Sequence, residues 1–416
     1  MAENKSILVV GGGISGISVA VEAAEVGYQV YLVEKNPYLG GRVAQLNKYF
    51  PKLCPPYCGL EINFRRIRPN PDIKVMTMSE VASVSGGPGN FTVTVKTAPR
   101  YVNDSCTACG KCAEACPAER SNDFNYGMDK TKAAYLPHIM AFPMRYVIDK
   151  SACASGCQAC KDACKYGAVD LGQQADTTTL NVGSIVYATG WKPYDMGKLS
   201  LLGEGKIKNV ISNVMMERLA SAGGPTAGKI LRPSDGKEAK NVAFVQCAGS
   251  RDENHLSQCS SICCMASIKQ AFYLREQYED SKVQIFYIDL RTPGRYEKFL
   301  KRAEADENIT FMKGKVAQVS EDPATGDVTV TVEDILGGGK KHFTFDMVVL
   351  ATGMEPVLKQ AAGPQAALTE EGFAAAALQK PGIFSAGVAK SPVDVVTSIQ
   401  DASGVALKAI QAIVRS

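Results

Sequence analysis

Eight of the fourteen cysteines in this chain of 416 residues fall into two tight runs. Cys106, Cys109, Cys112 and Cys116 are separated by gaps of two, two and three residues, and Pro117 follows. Cys153, Cys157, Cys160 and Cys164 have gaps of three, two and three. Thiols at the first spacing give three thiolates to three irons of one cubane and send the fourth to a second cluster. By that exchange Cys106, Cys109, Cys112 and Cys164 would hold one [4Fe–4S] cluster, and Cys153, Cys157, Cys160 and Cys116 the other. The extra residue in the second run should bulge its loop without removing a ligand, because Ser155-Gly156 turns tightly. Lys165 stands where proline is usual.

A glycine loop offers a second chemistry. Residues 6–10 read as a buried strand, and Gly11, Gly13 and Gly16 follow with G-x-G-x-x-G spacing. Gly11 would make the tight turn, Gly13 would let backbone reach a pyrophosphate, and Gly16 would let the helix pack on the strand. That helix should run over residues 15–26, with its N-terminus towards the phosphates. A second strand, residues 29–33, leads to Glu34 and its neighbour Lys35, with the acid at the distance of a ribose-hydroxyl acceptor.

FAD rather than NAD is implied by a resemblance to the two-dinucleotide flavoproteins. Gly40-Gly41-Arg42 resembles their second glycine pair. The stretches 185–190 and 348–353 resemble the strands at which such chains cross between two nucleotide-like domains, which implicates Thr189, Gly190 and Gly353. Residues 382–387 resemble the strand whose end meets the ribityl chain, with Gly387 kept and Val388 where that family has aspartate. A last helix from Asp394 to Val414 would turn its positive end to the flavin and favour negative charge on the reduced ring. Its stripe of Val395, Ile399, Ala402 and Ala406 also reads as core packing.

A third cysteine group is Cys247, Cys259, Cys263 and Cys264. An adjacent pair can ligate together only at a helix start, where Ser260 and Ser261 would supply the N-cap. On spacing alone four buried or partly reactive thiols are the lesser alternative. Cys54 and Cys58 flank Pro55, Pro56 and Tyr57. They are a candidate redox pair, a source of a cluster ligand, or two structural thiols in a rigid turn. Arg65, Arg66 and Arg68 read as a solvated or subunit-facing patch. Of the histidines, His138 and His342 read as structural or solvated, and His255 lies between two of the third-group cysteines. Catalytic side chains are therefore unknown: the chemistry belongs to cofactors, and the protein supplies distance, orientation and potential.

These groups need a scaffold of two nucleotide-type folds. The expected fold class is α/β: a two-dinucleotide-binding-domain flavoprotein, thioredoxin/disulfide reductase-like, with an inserted bacterial-type 2[4Fe–4S] ferredoxin module. The FAD-binding domain would comprise residues 1–99 and 346–416, interrupted by the module at 100–172. Residues 173–240 would hold a return strand, a linker and one helix. A second nucleotide-like domain would cover 241–345, with strands at 241–246 and 283–288. Its turn at Cys247-Ala248-Gly249-Ser250-Arg251 has one glycine and no G-x-G-x-x-G, which argues against a nicotinamide cofactor.

Composition agrees. Hydrophobic content of 45% and charged content of 21% are ordinary for a globular chain. A net charge of +4 without Lys/Arg runs argues against nucleic acid. No apolar stretch reaches the ~20 residues of a membrane span, and residues 1–5 lead into a strand rather than a secretory signal. Cysteines at metal-ligand spacing fit a reducing cytoplasm.

The chain resembles the A-subunit family of heterodisulfide reductases across nearly its whole length. The resemblance is carried by Gln246-Cys247-Ala248-Gly249-Ser250-Arg251-Asp252, by Cys259-Ser260-Ser261-Ile262-Cys263-Cys264-Met265-Ala266, and by Lys269-Gln270-Ala271. Tyr287-Ile288-Asp289-Leu290-Arg291, Asn122-Asp123-Phe124 and Lys132-Ala133-Ala134-Tyr135 add to it. It implies that Cys247, Cys259, Cys263 and Cys264 bind a non-standard [4Fe–4S] cluster close to FAD. Long members of the family carry a further ferredoxin module, whereas this sequence stops at Ser416. That compact form is most similar to the A subunit of the quinone-interacting membrane-bound oxidoreductase of sulfate reducers. The resemblance then implies a cytoplasmic electron-transfer subunit. Two partners would hold it at the membrane: another flavo-iron–sulfur protein of the same complex and a membrane haem/iron–sulfur subunit. Adenylylsulfate reductase is a further candidate partner. Two other readings compete: an NAD(P)H-dependent flavin reductase resembling the glutamate synthase small subunit, and an assembly scaffold with structural clusters.

Overall fold

The computed structural model describes residues 4–203, 205–360, 366–375 and 379–416. Residues 1–3 of the expected leaderless start, 204 of the expected linker, and 361–365 and 376–378 of the expected second FAD-domain segment lie outside them. The chain divides into two units. One comprises Met1–Ala44, Tyr57–Trp191 and Pro356–Ser416; the other comprises Gln45–Pro56 and Lys192–Glu355.

The first unit is built on a five-stranded parallel sheet. Its order is Ile383–Ser385, Ser184–Tyr187, Ser6–Val10, Gln29–Glu34, Ile73–Thr77. Ile7, Leu8 and Val9 are fully buried, as expected of a strand covered on both faces in a parallel sheet. The helices Ile14–Ala24 and Val395–Val414 pack on each other. The buried side of the last helix is Ser398, Ala402, Val405, Ala406, Ala409 and Ile413. Ala402 and Ala406 of the expected stripe are buried, whereas Ile399 faces out and Ser398 stands inward in its turn. An antiparallel sheet puts Asn90–Thr97 between Ser79–Gly87 and Asp176–Val182.

The cysteine-rich insert leaves from this antiparallel sheet and returns to it. Thr97 pairs with Asp176, and a bridge joins Val102 to Val169. Beyond the bridge, the short helices Lys111–Glu114 and Ala159–Asp162 carry Cys112 and Cys160. The insert's own core is small: Val102, Ala133, Ala134, Ile148, Ala168 and Val169 close around Cys112, Cys116 and Cys160. Arg100 roots it. Its buried guanidinium donates to Thr77 Oγ1 at 3.0 Å and to the Arg145 carbonyl at 3.1 Å.

The second unit holds a seven-stranded sheet. Val210–Ser212, Met347–Thr352, Asn241–Ala248, Lys282–Tyr287 and Ile309–Glu321 run parallel, and Val328–Asp334 and Lys340–Phe345 complete it antiparallel. Ala243, Val245, Val348 and Leu350 face a cluster with Phe286 and Val330 on one side. The helices Asn213–Leu219 and Cys263–Gln277 pack on the sheet. The stretch 197–238, expected as a linker with one helix, also supplies the edge strand Val210–Ser212. Its polarity misleads, because fully buried Arg218 donates to the carbonyls of Gln45 and Gly223 at 3.2 and 2.9 Å.

Candidate cofactor sites

The glycine loop has the geometry its spacing demands. Gly11 adopts φ +111°, and a Cβ there would stand 2.3 Å from the Ala188 carbonyl oxygen. A Cβ at Gly16 would stand 1.8 Å from the Gly11 carbonyl oxygen, so the helix can approach the strand only without one. Gly13 differs: nothing lies within 4 Å of its missing Cβ. That open space, at the N-cap of the helix Ile14–Ala24, fits a pyrophosphate on bare backbone. Gly41 abuts the loop, its Cβ position 3.0 Å from the Gly13 Cα. The carboxylate of Glu34 is buried, and it accepts from the Gly12 N–H at 2.6 Å and from the Asn36 N–H at 2.7 Å. Burial pushes this carboxyl up, against those hydrogen bonds. Lys35 is not brought to the loop; it pairs with Glu80 at the surface, 3.0 Å away.

Other flavin candidates gather in the same unit. Thr189 Oγ1 is buried without a hydrogen-bond partner, and Gly190 follows it with open space at its Cβ position. Ser385 Oγ, which sequence reasoning missed, is likewise buried without a partner. Two orphaned polar atoms at parallel strand ends fit a polyhydroxylated chain such as the ribityl group of FAD, a two-electron carrier when bound. Gly387 turns at φ +61° where a Cβ would meet Ser15 Oγ, and Val388 is buried beside it. The Gly387 N–H donates to Asp401 at 2.8 Å, and Asp401 also pairs with Lys390. Asp394 caps the last helix by accepting from the Thr397 N–H. Arg42 is held by the Trp191 carbonyl and the Tyr126 hydroxyl at 3.2 and 3.1 Å. Gly353 belongs to the second unit, where its Cβ position meets Ser250 and Ser260 of the cysteine loop.

In the insert, Cys116 lines one cavity of about 350 Å³ together with Cys153, Cys157 and Cys160. The donor set is therefore three thiols of the second run and one of the first. Burial and then the charges of Cys116 and Cys157 push the Cys153 thiol up; Cys160 is raised by burial, then by Cys153 and Cys116. The remaining cysteines of the first run share another environment. Cys106, Cys109 and Cys112 all act on Tyr146, and burial with the Cys106 charge pushes Cys112 up to about 12. Burial also acts on Cys164, but the N–H groups of Ala168, Tyr166, Val169 and Gly167 outweigh it and lower this thiol. Among the described residues no three such side chains are drawn together to hold a single ion. A cubane sets its thiolates wider apart, because each binds a different iron. Iron would also deprotonate thiols that burial otherwise keeps neutral.

The third group assembles where the strand Asn241–Ala248 meets the helix Cys263–Gln277. Cys247 takes a left-handed φ of +56° at a slip in register between Val245 and Ala248. Burial raises it, followed by the charge of Cys264. Cys263 is raised by burial and then by Cys264, Cys247 and Cys259, so all four thiols act on one another. The pair does open the helix, but the cap expected from Ser260 and Ser261 is not made. Ile262 is the N-cap and has no side-chain bond, because Ser260 Oγ instead accepts from the Met354 N–H at 2.8 Å. His255, between the ligand candidates, bonds the Tyr194 hydroxyl at 2.9 Å through Nδ1. His138 stacks on Phe124 with ring centroids 4.6 Å apart. His342 meets Thr331 on an exposed strand. Cys54 and Cys58 are exposed free thiols assigned to different units.

Residues 6–50 match the family model of FAD dependent oxidoreductases, and residues 99–119 match that of the 4Fe-4S binding domain. Among solved structures, thioredoxin reductase of T. acidophilum shares the fold, with a TM-score of 0.56 at 16% identity over 99% of both chains. Fold, glycine loop and cysteine runs define an oxidoreductase of the flavin and iron–sulfur type. Over almost its whole length the chain is similar to A subunits of heterodisulfide reductases. It is 39% identical over 420 residues to the A subunit of the H(2):CoB-CoM heterodisulfide,ferredoxin reductase of Methanothermobacter marburgensis, covering 97% of this chain and 63% of that one. It is 39% identical over 426 residues to the second iron-sulfur A subunit of the CoB--CoM heterodisulfide reductase of Methanopyrus kandleri, covering 98% and 64%. The chain thus spans less than two thirds of these relatives' length. Among the described residues no helix is long and apolar enough to cross a membrane.

Proposed function

We propose that this chain is the FAD- and iron–sulfur-bearing electron-transfer subunit of a heterodisulfide-reductase-like complex. The observation that carries this reading is the cavity shared by Cys116 with Cys153, Cys157 and Cys160. Exchange of one ligand between two runs is how a two-cluster module is wired, and here the module grows from a unit with a dinucleotide loop. Two clusters in the insert and a third at Cys247, Cys259, Cys263 and Cys264 would carry single electrons, and FAD would take them in pairs. The flavin would sit on Gly11, Gly13, Gly16, Glu34, Gly41, Thr189 and Gly387. The flavin unit would comprise residues 1–44, 57–191 and 356–416, with the module at 100–172 inside it. The expected bounds of 1–99 and 346–416 shift because Met347–Thr352 is a strand of the second unit's sheet, and the third cluster would lie in that second unit.

The finer reading is a link between membrane quinones and adenylylsulfate reductase in sulfate respiration. The complex would include a second flavo-iron–sulfur subunit plus a membrane haem/iron–sulfur subunit, with this chain on the cytoplasmic side. Resemblance supports it, together with the bulged, one-glycine turn at Cys247, which leaves no dinucleotide loop in the second unit for NAD(P)H. The test is native purification under anaerobic conditions. Co-isolation with a haem-containing membrane protein, and flavin reduction by a quinol but not by NADH, are expected. Rapid bleaching of the flavin by NADH would favour the glutamate-synthase-like alternative instead.

A further inference from the structure

We propose that Gln246 is a positioning residue that hydrogen-bonds the iron–sulfur group of Cys247, Cys259, Cys263 and Cys264 and raises its reduction potential, with Ser267 as a second donor. The inference rests on the third-cluster reading above. Gln246 is 6% exposed, and neither Nε2 nor Oε1 of its side chain has a hydrogen-bond partner. Leaving such a group unpaired in a protein interior costs about 1–3 kcal/mol. Native cores seldom leave a whole amide unsatisfied, so this amide is available to a group bound beside it.

The position says which ligand. Gln246 adjoins Cys247 inside the slip in register between Val245 and Ala248. It does not belong to the apolar cluster of Ala243, Val245 and Ala248. The helix Cys263–Gln277 packs on this strand. Ser267 lies one turn into that helix, three residues beyond Cys264. It is fully buried, and its Oγ also has no partner. Unpartnered donors thus come from both the strand that supplies Cys247 and the helix that supplies Cys263 and Cys264. An amide N–H or a hydroxyl next to cluster or thiolate sulfur favours the more negative, reduced state. Hydrogen bonds to the sulfurs are one of the terms that set such potentials.

The experiment is an anaerobic redox titration of the purified full chain, following the third cluster by electron paramagnetic resonance, for wild type, Gln246→Met and Ser267→Ala. The expected result is unchanged iron content and a lower midpoint in each variant, with the insert clusters unmoved. At the wild-type midpoint the reduced-to-oxidised ratio should fall by up to about tenfold, which is ~59 mV for one electron. A retained third cluster with an unmoved midpoint in both variants overturns the proposal. If Gln246→Met loses the cluster, Ser267→Ala decides: a lowered midpoint supports the proposal and an unmoved one overturns it. Absence of a third cluster from wild type would overturn the third-cluster reading itself, and that result is read before any variant is made.

Discussion

Lys269 and Glu217 meet at 2.9 Å inside the second unit, with 2% and 3% of their side-chain surface exposed. Glu217 also accepts from Gln270 Nε2 at 2.6 Å, the Tyr273 hydroxyl at 3.1 Å and the Asn47 N–H at 2.9 Å. Lys269 donates to the Lys48 carbonyl at 2.7 Å. The pair therefore fixes Asn47 and Lys48, in the segment Gln45–Pro56, to the helices of this unit.

Removing one partner should be costly. Lys269→Met leaves a buried carboxylate without its cation, and breaking such a pair costs about 3–5 kcal/mol. The double variant Lys269→Met/Glu217→Leu should recover much of that loss. Urea unfolding followed by circular dichroism measures both, and equal midpoints for the single variant and wild type would refute the argument.

Gly13 and Gly16 should fail in different ways. Gly13→Val projects into open space, so the fold should survive while FAD is lost, read as the flavin-to-protein ratio. Gly16→Ala drives a methyl into the Gly11 carbonyl, and overpacking of this kind costs roughly 1–3 kcal/mol or more. It should lower the unfolding temperature even of the flavin-free chain. Stoichiometric FAD in Gly13→Val would remove the loop's assignment.

Iron counts should follow the wiring. Wild type should hold about twelve iron, about twelve sulfide and one FAD. Cys116→Ser should damage the cluster of the second run, not the first. Cys263→Ser should lose only the third cluster, leaving about eight iron. Mössbauer spectra distinguish these cases, and unchanged iron in Cys263→Ser would make its group ordinary thiols.

Stripping the iron should unfold the insert locally. Its core relies on three cysteines, three alanines and few larger side chains, which is too little apolar surface to hold a fold of this size without a metal. Chelation under reducing conditions should therefore open cleavage sites within residues 100–172, mapped by mass spectrometry, while FAD stays bound. Full protease resistance of the iron-free chain would contradict this.

The features legible in the sequence are those whose chemistry imposes spacing. Gly11 and Gly16 are required by close backbone approach, Gly13 stands at the spacing of a pyrophosphate loop, and the cysteine gaps follow from cubane corners, so all read out locally. What escaped depends on distant partners. Glu217 and Lys269 look like solvated charges until the helices that bury them are paired. Gln45–Pro56 lies among flavin-domain residues in sequence yet joins the second unit. Asp401 carries no motif, and only the fold brings it to Gly387; Ser385 sits in the strand expected to meet the ribityl chain, but only the fold shows its hydroxyl buried without a partner. The strand Val210–Ser212 is three residues long, too short for periodicity to reveal.

The pairing of Thr97 with Asp176, continued by Val102 with Val169, means that the two ends of the insert leave the sheet side by side. In topological terms the cluster module is the swollen tip of a β-hairpin. A tight turn could replace everything beyond the stem without altering the register of any neighbouring strand. Such an exchange would keep the strand register while giving up the bonds from Arg42 to Tyr126 and from the Leu39 N–H to the Phe142 carbonyl.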